Sequence, residues 1–486
     1  MKILSNGVSV LVLALALGAC ATTPPPTVKP EDMPKAYQAP TPDTDKQVTA
    51  EWWKSFASTE LGAFVDEAHS GNLDLATAAA RLLQAQAQAG SATANLFPDV
   101  QVTGSAKRGS STTYGVKSTG NTFGLSGAAS YELDLWGGNI NTMRGARETS
   151  RAAVYYQQTV RLTTDADVAS AYFPVLALRE RIDVARKNIE AAKRILAITQ
   201  AKVTNGVLSN LELAQQTAQV LGEEANIPRL EEQEREQRNA LAILLGRMPG
   251  TLKVEGASLE GLVAPPVQAG LPATLLTRRP DVAQAEASLM AAHANLDAAR
   301  AAFLPGVGLT ADGGWSKAVL TGLISPTTLA WNLGASAVQT IFDGGKLTSS
   351  RDYYKGREAE LLAAYRTAVL NALSDTETQL GSVSSYSEQE RLTTDEVKNA
   401  QEAFRISELQ YREGVVDLLT VLQAQQTLFT AQDTLIQIKL ARLQSGVGLY
   451  RALGGGWDVT QSADADLRNT FIPVPDFTDL PIGLPF

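Results

Sequence analysis

The chain is poor in the residues that do chemistry. One cysteine and two histidines in 486 residues exclude an internal disulfide and leave too few soft ligands for the usual zinc or copper sites. Positive charge is also short: 42 Lys and Arg face 51 Asp and Glu, a net charge of −9. Binding of nucleic acid draws on a Lys/Arg excess along one face, so no nucleic-acid partner is expected. There is no phosphate loop, nucleophile motif or histidine constellation. Glu132, Asp134 and Asp343 are the carboxylates an acid–base enzyme would use. Their places in the pattern below give them other work, and no enzyme is expected. The chain also lacks a long apolar run. The stretch Val8 to Leu17 is too short to cross a bilayer, which takes about 20 residues.

That short run has a use. Lys2 precedes it and Leu17-Gly18-Ala19-Cys20 follows, so residues 1–19 read as a signal peptide. Leu-Gly-Ala-Cys resembles a bacterial lipobox, in which the cysteine thiol receives a diacylglyceryl group and becomes the new N-terminus. Covalent lipid at Cys20 is therefore expected, with no other cofactor and no metal. Ala21 is not the Asp that favours inner-membrane retention in such lipoproteins, which directs the chain to the outer membrane of a Gram-negative cell. Residues 20–50 carry seven prolines and read as an extended, stiff leash between lipid and body, unable to pack a core.

The body says the same thing twice, about 207 residues apart. Leu96-Phe97-Pro98 returns as Phe303-Leu304-Pro305, Gly137-Gly138 as Gly344-Gly345, Leu245-Gly246 as Leu453-Gly454, and Asn205-Gly206-Val207 as Glu413-Gly414-Val415. The expected division is repeat one over 51–248, an equatorial connector over 249–280, repeat two over 281–456, and a tail over 457–486. Each repeat reads helix, strand pair, very long helix, turn, long helix. An Ala-rich helix runs from about Asn72 to Asn95 and stops at Phe97-Pro98. Phe123, Leu125, Gly127, Ala129, Tyr131, Leu133 and Leu135 then alternate with Gly124, Ser126, Ala128, Ser130, Glu132 and Asp134. Period two, with apolar residues on one face and small or polar ones on the other, suits a membrane β-strand. Glu132 and Asp134 would line a wet pore. Val100 to Ala106 form a weaker partner strand, and Gly109 to Gly120 read as an exposed loop. The second repeat supplies Val307 to Trp315 and Leu329 to Ala337.

After Gly137-Gly138 the helical pattern continues to about Thr204, on the order of 100 Å of helix. It is too charged for lipid and stands in water as part of a coiled coil. Gly206 and Gly414 supply the left-handed residue that ends each long helix, and a return helix follows. Four strands cannot close a barrel, and an open sheet edge is not tolerated in lipid. The smallest membrane barrels have eight strands, so several chains must pool theirs, and pooled hairpins hang below as a tube. Geometry alone thus gives a conduit. A periplasmic coiled-coil lipoprotein without a pore is the alternative that the strands argue against.

The stretches Trp52-Trp53, Asn72-Leu73-Asp74-Leu75, Tyr131 to Gly137, Arg279-Pro280-Asp281-Val282, Ile341 to Leu347 and Leu449 to Trp457 together resemble outer-membrane factors of the TolC type, in particular the lipoprotein (NodT-like) branch. The resemblance covers essentially the whole body. It implies a mainly α chain with transmembrane β, assembled as a homotrimer with a twelve-stranded barrel and a long periplasmic α-barrel. It implies a periplasmic adaptor and an inner-membrane, proton-driven transporter as partners in small-molecule efflux. A type I protein-secretion exit duct is the alternative within the same class. Both repeats place a glycine, then small or apolar residues, at the point farthest from the strands. Adaptor contact is therefore expected at Gly206, Val207, Leu208, Ser209, Gly414, Val415, Val416 and Asp417. An unplugged tube would leak, so a gate is expected at the same end. The family's matching positions imply Tyr411, Arg412 and Glu212, with Glu here where the family has Asp. Gln423 stands where the family often has Asp, with Thr420 three residues before it, which puts a cation-binding acidic ring in doubt.

Overall fold

The computed structural model describes residues 25, 27–42, 44–321, 323–326 and 329–457. The expected signal peptide, Cys20 and the tail beyond Trp457 lie outside the described residues. The elements in chain order are α1 (Thr59–Gly71), α2 (Leu73–Ala94), β1 (Asp99–Thr113), β2 (Val116–Leu133), α3 (Gly138–Thr204) and α4 (Asn210–Leu244). After the connector come α5 (Pro280–Ala301), β3 (Gly306–Lys317), β4 (Leu329–Val338), α6 (Lys346–Glu413) and α7 (Leu418–Ala452). The run α2-β1-β2-α3-α4 returns as α5-β3-β4-α6-α7, so the chain is mainly helical with a small sheet. Among the described residues, no helix is long and apolar enough to cross a membrane.

Local chemistry sets the boundaries. Asn72 Oδ1 accepts the backbone N–H groups of Asp74 and Leu75, which starts α2. The 67-residue α3 follows Gly137, whose φ is 76°, and the 68-residue α6 follows Gly345, at 92°. At 1.5 Å per residue both reach about 100 Å from the sheet. Asp343 accepts from the N–H groups of Gly345, Lys346 and Leu347 and so begins α6.

The four strands form one antiparallel sheet in the order β1-β2-β3-β4. Its register puts Val102 beside Gly127, Gly127 beside Gly313, and Gly313 beside Trp331. Strand residues two apart share a face. One face therefore carries Val100, Leu125, Tyr131, Leu309, Trp315, Trp331 and Leu333. The other carries Thr103, Ser126, Glu132, Thr310, Asp312 and Asn332. The apolar band on β2, Phe123 to Leu133, is ~34 Å of strand and roughly 25 Å tall at the usual tilt, the height of a bilayer's apolar band. The polar residues 109–120, expected as a loop, instead extend β1 and β2. The hairpin continues to a two-residue turn at Tyr114-Gly115, with φ of 49° and 79°. Such a turn matches the twist of the flanking strands. Beyond Phe123 both faces are polar, so this part carries no apolar alternation to reveal a strand.

The core lies midway along the helices. Trp52, Trp53 and Phe56 are all but fully buried, and Trp52 stacks on Tyr450 with ring centroids 5.3 Å apart. Arg279 forks onto Asp281 at 2.9 and 2.5 Å and reaches Asp375 at 3.1 Å. This is why Arg279-Pro280-Asp281 stands out in the sequence: it pins the start of α5 to α6. Gly454 has φ of 87°, and a Cβ there would lie 1.9 Å from the Arg278 carbonyl oxygen, so only glycine fits.

The leader departs from the expected free leash. Met33 is 8% exposed and belongs to the core, with Val28, Tyr37, Ala39 and Val48 packed against it. The Glu377 carboxylate on α6 accepts the successive backbone N–H groups of Gln38 and Ala39 at 2.8 and 2.9 Å. Its one regular element among the described residues is a short 3-10 turn, Pro30–Asp32, so most of its backbone donors are left without a local partner. Two of them dock instead on that carboxylate.

Candidate functional site

At the barrel end, Glu132 is exposed on the polar strand face, where an inward-facing position would wet it. Asp134 is not on that face. β2 ends at Leu133, and Asp134 Oδ2 accepts the Ile140 N–H at 2.7 Å. It satisfies one of the free donors at the start of α3, a capping role that the strand alternation does not foretell. Trp136 Nε1 donates to the Pro305 carbonyl at 2.7 Å and ties the two repeats together where strand becomes helix.

The opposite end is built from the two hairpin turns. In the first, Gly206 (φ 72°) closes α3, and Val207 N donates to the Lys202 carbonyl at 2.9 Å. In the second, Gly414 (φ 78°) closes α6, and Val415 N donates to the Gln410 carbonyl at 2.8 Å. Only glycine takes this left-handed conformation at no steric cost. The expected contact residues then divide. Val207 and Val415 are 67% and 71% exposed, whereas Leu208 and Val416 turn inward onto an apolar layer of Ile195, Phe404, Tyr411, Val421 and Phe429.

Ser209 and Asp417 cap the return helices. Ser209 Oγ accepts from Leu211 N at 3.1 Å, and Glu212 Oε2 accepts from Ser209 N at 3.1 Å and from the Ser209 hydroxyl. These contacts hold the Glu212 carboxyl below its ordinary range, the Ser209 hydroxyl foremost. Asp417 accepts from Thr420 N at 2.9 Å and from the Thr420 hydroxyl at 2.7 Å, which holds its carboxyl low in the same way. Within one chain, then, Glu212 and Thr420 are engaged in capping. Arg412 is exposed, with Glu413 at 3.3 Å. Gln423 is exposed and neutral. The chain does not bring Glu212 and Arg412 together.

It does bring together three residues that sequence reading did not. Tyr411 is 1% exposed, and its hydroxyl lies 2.9 Å from the Thr199 hydroxyl on α3. Burial pushes the Tyr411 phenol up from its ordinary value, so it stays protonated and neutral. Lys202 Nζ donates to the Tyr411 carbonyl at 2.5 Å and stands 4.6 Å from the centre of its ring. Thr199 and Lys202 thus bind the end of hairpin one to the end of hairpin two. Sequence separations of 212 and 209 residues hid both contacts. The Glu212 cap, by contrast, was readable as the Ser-x-x-Glu capping box. Among the described residues, no cluster of three metal-ligating side chains occurs.

Comparison with known proteins agrees with this architecture. The model of the outer membrane efflux protein family matches twice, over residues 64–247 and 271–455. The pyoverdine export outer membrane protein OpmQ of Pseudomonas aeruginosa is 39% identical over 464 residues, 93% of this chain and 97% of its own. The probable efflux pump outer membrane protein TtgC of Pseudomonas putida is 31% identical over 92% of this chain and 95% of its own. Among solved structures, the outer-membrane channel OprN superposes with a TM-score of 0.84 at 27% identity, over 90% of this chain and 99% of its own. The open-state MtrE channel of Neisseria gonorrhoeae gives 0.82 at 26% identity, over 90% and 99%. These channels are trimers, and three four-stranded sheets make the twelve strands that one chain lacks. The family is one of channels rather than enzymes, and this chain belongs to it: the outer membrane efflux proteins.

Proposed function

We propose that the chain works as the lipid-anchored exit duct of a tripartite efflux system, with Cys20 acylated in the outer membrane. Its hairpin tips meet a periplasmic adaptor that joins it to a proton-driven transporter of the inner membrane. The observation that carries the tip assignment is the split at the two turns. Each turn packs one partly buried apolar residue, Leu208 or Val416, on the layer beneath it and leaves a valine exposed before it at the far end of a helix about 100 Å long. A capping turn needs the glycine and no exposed valine beside it. Closure of the resting mouth rests on the layer around Tyr411, with exposed Arg412, beside Glu413, placed to meet a neighbouring copy and Glu212 held in its cap. Gln423 offers no charge for an acidic ring. The cargo is small compounds handed over by the transporter. OpmQ and TtgC are named for pyoverdine export and for an efflux pump, and a small-molecule cargo fits both better than a secreted protein.

Val207→Glu with Val415→Glu tests the docking reading. Efflux in whole cells should fall at least tenfold, while the trimer on gels and the conductance in planar bilayers stay at the parent level. Equal loss of trimer would assign these valines to folding and overturn the reading.

A further inference from the structure

A carboxylate at the middle of the apolar band carries an inference about what the conduit prefers. That band runs on β2 from Phe123 to Leu133, with Ala128 at its centre, and Asp312 on β3 stands directly opposite Ala128. An ionised side chain at mid-bilayer is costly against lipid and marks a water-facing, functional position. Asp312 is exposed, and Asn332 Nδ2 donates to its Oδ1 only at 3.5 Å. So long a contact leaves the charge open to the water beside it.

The curvature of the sheet says which side that water is on. A Cβ added at Gly124, Gly314 or Gly334, on the face of Asp312, would lie 2.9 Å from Ser105 Oγ, 2.6 Å from the Leu125 carbonyl oxygen and 2.8 Å from Thr310 Oγ1, respectively. At Gly104, Gly127 and Gly313, on the apolar face, nothing would come closer than 3.5 Å. Crowding on one face and room on the other mean that the sheet wraps around its polar face. That face also carries Asp99, opposite Ser130, and Glu132, opposite Gly308. Its one cation among the described strand residues is Lys107, opposite Thr122 and about 20 Å of strand from the level of Ala128.

We infer that Asp312 is a charge-selecting residue of the conduit. Three copies set a ring of carboxylates at the midplane of the membrane, and with Glu132 and Asp99 they favour the passage of cationic compounds over anionic ones. A barrel of twelve strands, spaced ~4.8 Å apart and tilted ~45°, has a wall radius of roughly 13 Å. Its axis therefore lies within about one Debye length of the ring at 0.1 M salt. This rests on the polar face lining the lumen of the exit duct proposed above.

A thiol set beside Asp312 reads the local potential. Thr310→Cys places one two residues away on the same face, about 7 Å off, in full trimers held in lipid nanodiscs. The parent chain, whose one cysteine is Cys20, gives the blank. Labelling rates are measured with a cationic trimethylammonium methanethiosulfonate and an anionic sulfonate counterpart. Asp312→Asn keeps the shape and should lower the cationic-to-anionic rate ratio about tenfold at 0.01 M salt and about threefold at 0.1 M. At 1 M, where the Debye length is about 3 Å, the ratio should not change. Ser118→Cys, about 33 Å along β2 from Ala128, should report no effect of Asp312→Asn at 0.1 M. If Thr310→Cys loses the heat-modifiable trimer, Ser126→Cys, opposite Gly314, replaces it. An unchanged ratio at 0.01 M would overturn the charge selection and leave the conduit standing. Reporter thiols that neither reagent reaches in folded trimers would overturn the inward polar face, and the conduit with it.

Discussion

Replacing Lys202 with Met removes the ammonium and keeps the stem, so it isolates the cationic tie between the two hairpin tips. In the native chain that group donates to the Tyr411 carbonyl at 2.5 Å and lies 4.6 Å from the ring centre. A hydrogen bond from a charged donor contributes about 1.5–3 kcal/mol, and a cation–π contact at an exposed site about 0.5–1 kcal/mol. Lys202 is half-buried, so water replaces part of what is lost, and about 1 kcal/mol per copy is the working figure. Three copies act at one mouth, giving about 3 kcal/mol, or roughly 150-fold in the ratio of closed to open. A mouth closed all but about one part in a thousand would then be open roughly one part in eight. Open probability of Lys202→Met trimers in planar bilayers measures this directly. Sensitivity of the cells to vancomycin, too bulky for ordinary porins, reports it in vivo. Lys202→Arg keeps the charge and should restore closure. Wild-type open probability and vancomycin exclusion in well-folded Lys202→Met trimers would refute the reasoning, because the contact would then carry no load.

Two further outcomes follow from the sheet and from the caps. Leu333→Arg places a cation on the apolar face and should cost about 2–4 kcal/mol at mid-bilayer, abolishing the heat-modifiable trimer, whereas Asn332→Arg on the polar face should assemble normally. The carboxyls of Glu212 and Asp417 are held low in the folded tips, so the stability they give is present above the ordinary carboxylate range and lost as pH falls through their depressed values. A spin label at Val207 or Val415 should gain mobility as pH drops below about 4 and keep its mobility between about 6 and 9; unchanged spectra in acid would mean the caps do not hold the tips.

What the sequence made legible depended on whether a physical signal stays local. The repeat is legible because Gly137, Gly206 and their later counterparts occupy backbone positions that demand a left-handed residue. The lipid-facing strands are legible because lipid on one side and water on the other force a period of two from Phe123 to Leu133. Residues 109–120 meet water on both faces, so nothing in their side chains distinguishes strand from loop. The docking of the leader is carried by backbone N–H groups and one distant glutamate, Glu377, and side-chain identity says little about it. Asp134 continues the alternation by one step after the strand has ended, so its bond to the start of α3 leaves no mark in that pattern. The Thr199–Tyr411–Lys202 contact joins α3 to α6 and exists only once both hairpins are folded.

The β1–β2 hairpin overshoots β3 by about seven residue pairs, roughly 23 Å, and Tyr114 at its turn is fully exposed. Since the helices occupy the other end of the sheet, this ribbon projects away from them, and a trimer raises three such ribbons around its mouth. Being paired along its whole length and polar on both faces, the ribbon can change its chemistry without disturbing the barrel below. A peptide epitope inserted at Tyr114-Gly115 should leave the trimer intact, and its detection on whole cells reports which side of the membrane the ribbon faces. The same freedom lets substitutions gather in this hairpin while the register of the sheet beneath it stays as it is.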